Sequence, residues 1–230
     1  MTTRRLARWR HRAAPARRGW ALAGAGVGGA ALLGISLSTR PGSPQFYALT
    51  MGLAGTWATG AAASGSVSPG RPGRQHHAGL VVAPVLTGVA AFGLFYGAAR
   101  LARHIPPLNR AVAGVLHYAD GGSAPLVMLT AGTNAVAEEL FFRGALWSAV
   151  QDSHPLVTTT IAYTAATAAT RNPALVLAGA VTSVLFGLQR RASGGLLAPS
   201  LAHLTWSLLM LRYLPPLFRA PPPDGPPARP

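Results

Sequence analysis

Apolar runs of about bilayer length recur along this chain, and they leave it few ways to fold. Residues 20–39, 46–67, 79–99, 155–170 and 172–189 contain no charged residue, and the runs 124–149 and 196–214 contain four between them. A helix needs about 20 predominantly apolar residues to cross a hydrocarbon core about 30 Å thick. Backbone groups left unpaired in lipid are costly, so a chain made of such runs is expected to fold as an all-α, polytopic transmembrane bundle of about seven spans. Two runs admit another reading. Residues 46–67 are rich in Gly, Ala and Thr, and 155–170 is short and opens with Pro155, so either fits a full span or a re-entrant or tilted segment.

Composition excludes the soluble alternative. The 230 residues carry 20 basic groups, all Arg, and 5 acids, so 11% are charged, against about 25% in soluble domains. The formal charge of +15 does not point to nucleic acid, because the arginines cluster at the tips of apolar runs, where they anchor helices to anionic lipid headgroups. Seven of them lie in residues 1–19 with no acid. Residues 1–19 therefore read as an Arg-rich cytoplasmic N-terminus, followed by an uncleaved signal anchor, in a multi-pass protein of the cell membrane. The preference for Arg over Lys, with abundant Ala and Gly, matches a GC-rich bacterial genome. With no Cys there is no disulfide, thiol nucleophile or thiolate metal site. Residues 20–123 are expected to hold N-terminal helices and connections, including a polar loop Ser68–His77 and the stretch Arg100–Ser123. Residues 124–214 form the chemical core, and 215–230 a disordered Pro-rich tail. The small-residue pairs Gly24/Gly28 and Gly93/Gly97 are expected to bring helices close together.

Of the five acids, Asp120, Asp152 and Asp224 fall in loops or the tail, whereas Glu138 and Glu139 stand together inside an apolar run. A carboxylate at mid-helix costs about 2.5–3.5 kcal/mol on insertion scales. Arg143 follows Glu139 by four residues, in the favourable acid-before-base order. The five-residue step from Glu138 to Arg143 turns about 140°, which leaves Glu138 free for chemistry. Thr130 and Asn134 extend the polar stripe, implying a wet or protein-lined cavity. A second stripe holds Ser200, His203 and Ser207, and a third Thr160, Tyr163, Thr167 and Thr170, where threonine hydroxyls commonly bond back to their own helix. One His and a Glu pair within the membrane are the minimum parts for activating a water. The loop residues His76 and His77 read as surface, and Arg190 and Arg191 beside Gly194 as an interfacial turn.

The segment AVAEELFFRGALW, residues 135–147, resembles the EExxxR signature of the CPBP family, which includes Abi and Rce1-like proteins: CAAX prenyl proteases and bacteriocin-processing or immunity proteins. GGLLAPSLAHLTWSLLML, residues 194–211, resembles the family's last motif, HxxxN. The resemblance implies an intramembrane endopeptidase domain over 124–214. It makes Glu138 the base that activates water, Glu139 and Arg143 its supporting pair, and His203 the polarising group, with Asn134, Tyr163, Thr167 and Ser207 as possible support. It also implies a membrane-embedded or lipidated peptide or protein substrate; it makes no cofactor certain and leaves open a divalent metal such as Zn, with Glu138 and His203 as its candidate ligands. Two positions depart from the pattern. The middle motif, FxxxH, meets Tyr163 and Thr167 if placed on 155–170, or Phe186 and Arg190 if placed on FGLQR, and Ser207 stands for the usual Asn. A non-catalytic scaffold or immunity-type homologue, and a transporter or proton relay, are the alternatives.

Overall fold

Proline opens most of the helices. It has no N–H to leave unpaired and its φ is preset, which suits a first turn. In a computed structural model that describes residues 3–65 and 77–219, with side chains from residue 17 and, in the second stretch, from residue 80, every element is helical. They are α1 (Thr3–Ser36), α2 (Pro44–Ala63), α3 (His77–Ala102), α4 (Pro106–Asp120), α5 (Ala124–Glu138), a π-helical segment (Glu139–Leu146), α6 (Trp147–Ala149), α7 (Pro155–Ala168), α8 (Pro173–Ser193), α9 (Leu197–Tyr213) and α10 (Pro215–Phe218). Side chains cap the ends. Ser43 accepts the Phe46 N–H at 3.1 Å, Asn172 accepts those of Ala174 and Leu175 at 2.9 and 3.2 Å, and α8 stops at Gly194 with φ +66°.

Within the described residues, the apolar runs lie on helices and the turns that end them. Among the described residues, three stretches are long and apolar enough to cross a membrane: Arg17–Ser36, Leu80–Ala102 and Pro173–Ser193. The other elements of the expected set of about seven are shorter or, like α2, weakly apolar. Most of the N-terminal arginine cluster, the polar loop up to His76 and residues 220–230 lie outside the residues whose side chains are described.

Two expectations change. The stretch between Arg100 and Ser123 contains the amphipathic helix α4, whose Leu116 and Val112 pack on Ala99, Leu214 and Leu217. The first residues of the expected tail are also folded: α10 packs on α4, and Arg219 pairs with Asp120 at 2.5 Å.

α5 and the π segment lie at the centre, against α2 and α9, while α7 and α8 pack together and close the remaining side. Trp57 stacks near Phe141 and Phe142, at centroid distances of 4.7 and 5.0 Å, inside this core. Trp20, Val27, Leu86, Leu94, Ile161 and Leu177 point outward, exposed, as lipid-facing side chains do.

The close helix contacts use other glycines than those expected. Gly24, Gly93 and Gly97 face open space, and Gly28 makes only ordinary contact with Thr56. Instead Gly29 lies against the Trp57 ring, Gly60 against Ala25 and Phe141, and Gly88 against the Ala202 carbonyl. A four-residue spacing names a face of a helix without saying whether that face meets a partner. Gly42, at φ +69°, has Gly121 O where a Cβ would stand, so the α1–α2 turn touches the α4–α5 turn. Gly29→Leu should therefore destabilise the protein by about 1–3 kcal/mol through overpacking, while Gly93→Leu should leave it unchanged. Thermal unfolding of the two variants in detergent checks this; equal melting temperatures would contradict the packing.

Candidate active site

Phe141 to Ala145 are consecutively buried, so this part of the chain has no exposed face. The helix widens here into the π segment, whose i to i+5 bonding is uncommon and recurs at functional sites. Two distant arginines reach its carbonyls: Arg190 Nε donates to Arg143 O at 3.0 Å, and Arg18 Nη2 to Ala145 O at 3.4 Å. Arg190 is thus a buried brace for the π segment, which corrects its reading as part of an interfacial turn. The fourth position after Phe186 on α8 carried that signal, because it puts Arg190 on the same inward face.

Glu139 and Arg143 are both fully buried and their charged groups lie 3.1 Å apart. The Arg143 guanidinium also sits 4.9 Å from the Tyr163 ring centre and 5.9 Å from that of Phe186, where the ring faces attract a cation. His203 comes from α9 to place Nδ1 2.9 Å from Glu139 Oε1. Its ring is stacked on Phe186 at 4.7 Å between centroids, which fixes its plane. One carboxylate oxygen therefore orients both the guanidinium and the imidazole.

Glu138 points elsewhere. Its Oε2 accepts the Tyr163 hydroxyl at 2.5 Å and lies 4.0 Å from His203 Nε2. The imidazole stands between the two glutamates, one nitrogen toward each. Glu138, Tyr163 and His203 line a cavity of about 240 Å³, together with Thr167, Ser207 and Asn134. Glu139 and Arg143 do not line it.

The supporting residues divide. Tyr163 touches Glu138 directly, whereas Thr167, one turn on, spends its hydroxyl on Tyr163 O at 2.8 Å. Asn134 donates to Thr50 O at 3.0 Å and Thr130 O at 2.8 Å, tying α5 to α2. Ser207 lines the cavity one turn beyond His203. Both placements of the middle motif contribute: α7 brings Tyr163 to Glu138, and α8 brings Phe186 to His203.

Catalytic zinc usually takes three protein ligands. Glu138 and His203 Nε2 are the His or acid donors at the cavity, and no group of three or more His, Cys, Asp or Glu suited to a metal occurs among the described residues. The donor set does not fit such a zinc site.

Residues 120–209 match the family model described as type II CAAX prenyl endopeptidase Rce1-like. This segment is Rce1-like. The Rce1-like segment holds α5, the π segment, α7, α8 and most of α9, and with them Glu138, Glu139, Arg143, Tyr163 and His203. From outside it, α1 and the turn after it contribute Leu33 and Leu37, and α2 contributes Trp57, to the cavity wall. The comparison with curated proteins finds no match, and neither does the comparison with solved structures.

Arg143→Ala should lower stability more than Glu138→Gln does. Losing Arg143 strands a fully buried Glu139, and breaking a buried pair costs about 3–5 kcal/mol; Glu138→Gln removes a charge and keeps an acceptor for Tyr163. Protein levels in membrane fractions read the difference, and equal levels would contradict the separation of roles.

Proposed function

We propose that this chain is a multi-pass membrane peptidase that hydrolyses amide bonds in membrane-embedded or lipidated peptides or proteins. One observation carries the reading: Glu138 and His203 face each other at a cavity, 4.0 Å apart, with the Glu139–Arg143 pair sealed behind them. A water bonded to both at about 2.8 Å, with about 90° between the bonds, fits that gap.

Glu138 takes a proton from this water as its oxygen bonds to the substrate carbonyl carbon, and the carbonyl π electrons move onto oxygen. In this reading His203 carries a proton on each nitrogen, one bonded to Glu139 and one turned to the oxyanion. The set Glu138, Glu139, Arg143 and His203 is then electrically neutral, as burial favours. Once protonated, Glu138 releases the Tyr163 hydroxyl, which becomes a second donor to the oxyanion. The C–N bond breaks and Glu138 returns its proton to the leaving amine. No step needs a metal.

The helices α2, α5 with its π continuation, α7 and α9 pack among the three long apolar helices and expose Met51, Leu129 and Ile161 outward. That supports about seven bilayer segments. Arg18 reaches the end of the π segment, which Arg190 also touches, so Arg18 and the end of α8 share a face. We take this face as cytoplasmic. Reporter fusions at Pro15 and Ser153 should then read as cytoplasmic and fusions at Asn109 and Arg171 as external; Ser153 on the external side would overturn the arrangement.

Glu138→Gln should abolish cleavage without lowering abundance, measured by mass spectrometry of membrane peptides from expressing cells. Tyr163→Phe should reduce turnover by about 10²–10³, the usual effect of losing an oxyanion donor. Identical peptide profiles for parent and Glu138→Gln would favour a non-catalytic scaffold, which Arg190 at the motif's histidine position also fits.

A further inference from the structure

Glu138 borders two cavities. Besides the one shared with His203, a second of about 200 Å³ lies between α1, α2, α4 and α5, lined by Phe46, Thr50, Leu116, Tyr118 and Val127. Both are bounded by Leu33, Leu37, Val115, Ala131, Asn134 and Glu138, so they adjoin at the proposed base. Small-molecule sites occupy about 300–1,000 Å³, more than either cavity alone. Sharing that wall at Glu138, they lie in line from the α4 side to the α7–α8 side, the course a passage would take.

The chemistry of the second cavity is apolar in spite of its hydroxyls. Thr50 donates to Phe46 O, Ser36 to Leu33 O and Thr130 to Leu126 O, and the single hydroxyl hydrogen of Tyr118 is shared between Leu37 O and Thr39 O. With those donors engaged, a hydrogen-bond acceptor entering away from the Asn134–Glu138 junction would lose water without gaining one of them, whereas an apolar side chain loses nothing. Asn134, at the junction, uses its amide nitrogen twice and leaves Oδ1, buried, without a donor. An extended peptide carries N–H groups that such an acceptor would satisfy.

We infer that the second cavity is a binding subsite for an apolar side chain on one side of the scissile bond, and that the substrate lies extended across Glu138 with its other flank in the cavity of His203. This rests on the peptidase reading. It adds a requirement: the substrate is apolar on the flank that enters the second cavity, and α4 forms part of the wall that selects it.

The test uses the full-length protein in nanodiscs and a synthetic Leu/Ala-rich peptide in which photo-leucine is moved one residue at a time. Crosslinked residues are mapped by mass spectrometry, and turnover of the same peptide is measured separately. Successive photo-leucine positions should label first Leu116 or Val127 and then, across the junction, Leu175 or Ala178. Ala119→Phe, which fills the second cavity, should remove the first set and spare the second; Ala178→Phe should do the reverse. Labelling confined to Leu175 and Ala178 at every position, or absent from both cavities, would overturn the subsite. Correct two-sided labelling without turnover would instead reject the peptidase reading and keep the passage.

Discussion

A fully buried ion pair, Glu139 with Arg143, is the constraint around which the bundle is organised. Moving two charges out of water costs several kcal/mol for each, and Coulomb attraction offsets this only with good geometry and further partners. Those partners come from three other helices. His203 on α9 bonds the carboxylate, while Tyr163 on α7 and Phe186 on α8 face the guanidinium. If α9 were displaced, Glu139 would lose a hydrogen bond where no water replaces it. The pair therefore demands that α7, α8 and α9 all close on the π segment.

The same demand separates the two glutamates. Neighbouring residues on a helix point in different directions, so fixing Glu139 inward against Arg143 leaves Glu138 turned to the cavity. His203 couples them, with Nδ1 on the sealed carboxylate and Nε2 toward the open one. Orientation at Glu138 is thus set by a charge that never touches the cavity. The π segment adds to this, since its wide turn is held from outside by Arg190 and Arg18 on its carbonyls. On the FGLQR placement of the middle motif Arg190 stands at the histidine position, and there it braces the backbone of the π segment.

Some of this is legible in the amino-acid order alone. Uncharged runs of bilayer length require helices, because only internally bonded backbone survives in lipid. The four-residue interval from Glu139 to Arg143 makes the ion pair, and the adjacent Glu138 follows as the free acid. The run from Ser200 to Ser207 puts His203 on a polar stripe. The glycine pairs were misleading for an identifiable reason: Gly93 and Gly97 share a face, but that face meets no other helix. Similarly, α4 was hidden among arginines and prolines because an amphipathic surface helix needs only one apolar stripe.

Within each helix, then, sequence periodicity determined the phase of every polar side chain: which residues share a stripe, and which acid has a local cation. It did not determine which stripes face one another. The bond from Tyr163 to Glu138 spans 25 residues and that from His203 to Glu139 spans 64. Those pairings were decided by how α7, α8 and α9 pack around the π segment. Tyr163 and Thr167 are equivalent by spacing, yet only packing gives Tyr163 the carboxylate and leaves Thr167 bonded to its own helix. The physical reason is that helical geometry is local, repeating every 3.6 residues, whereas the neighbours of a buried charge are whichever distant groups the tertiary structure brings to it.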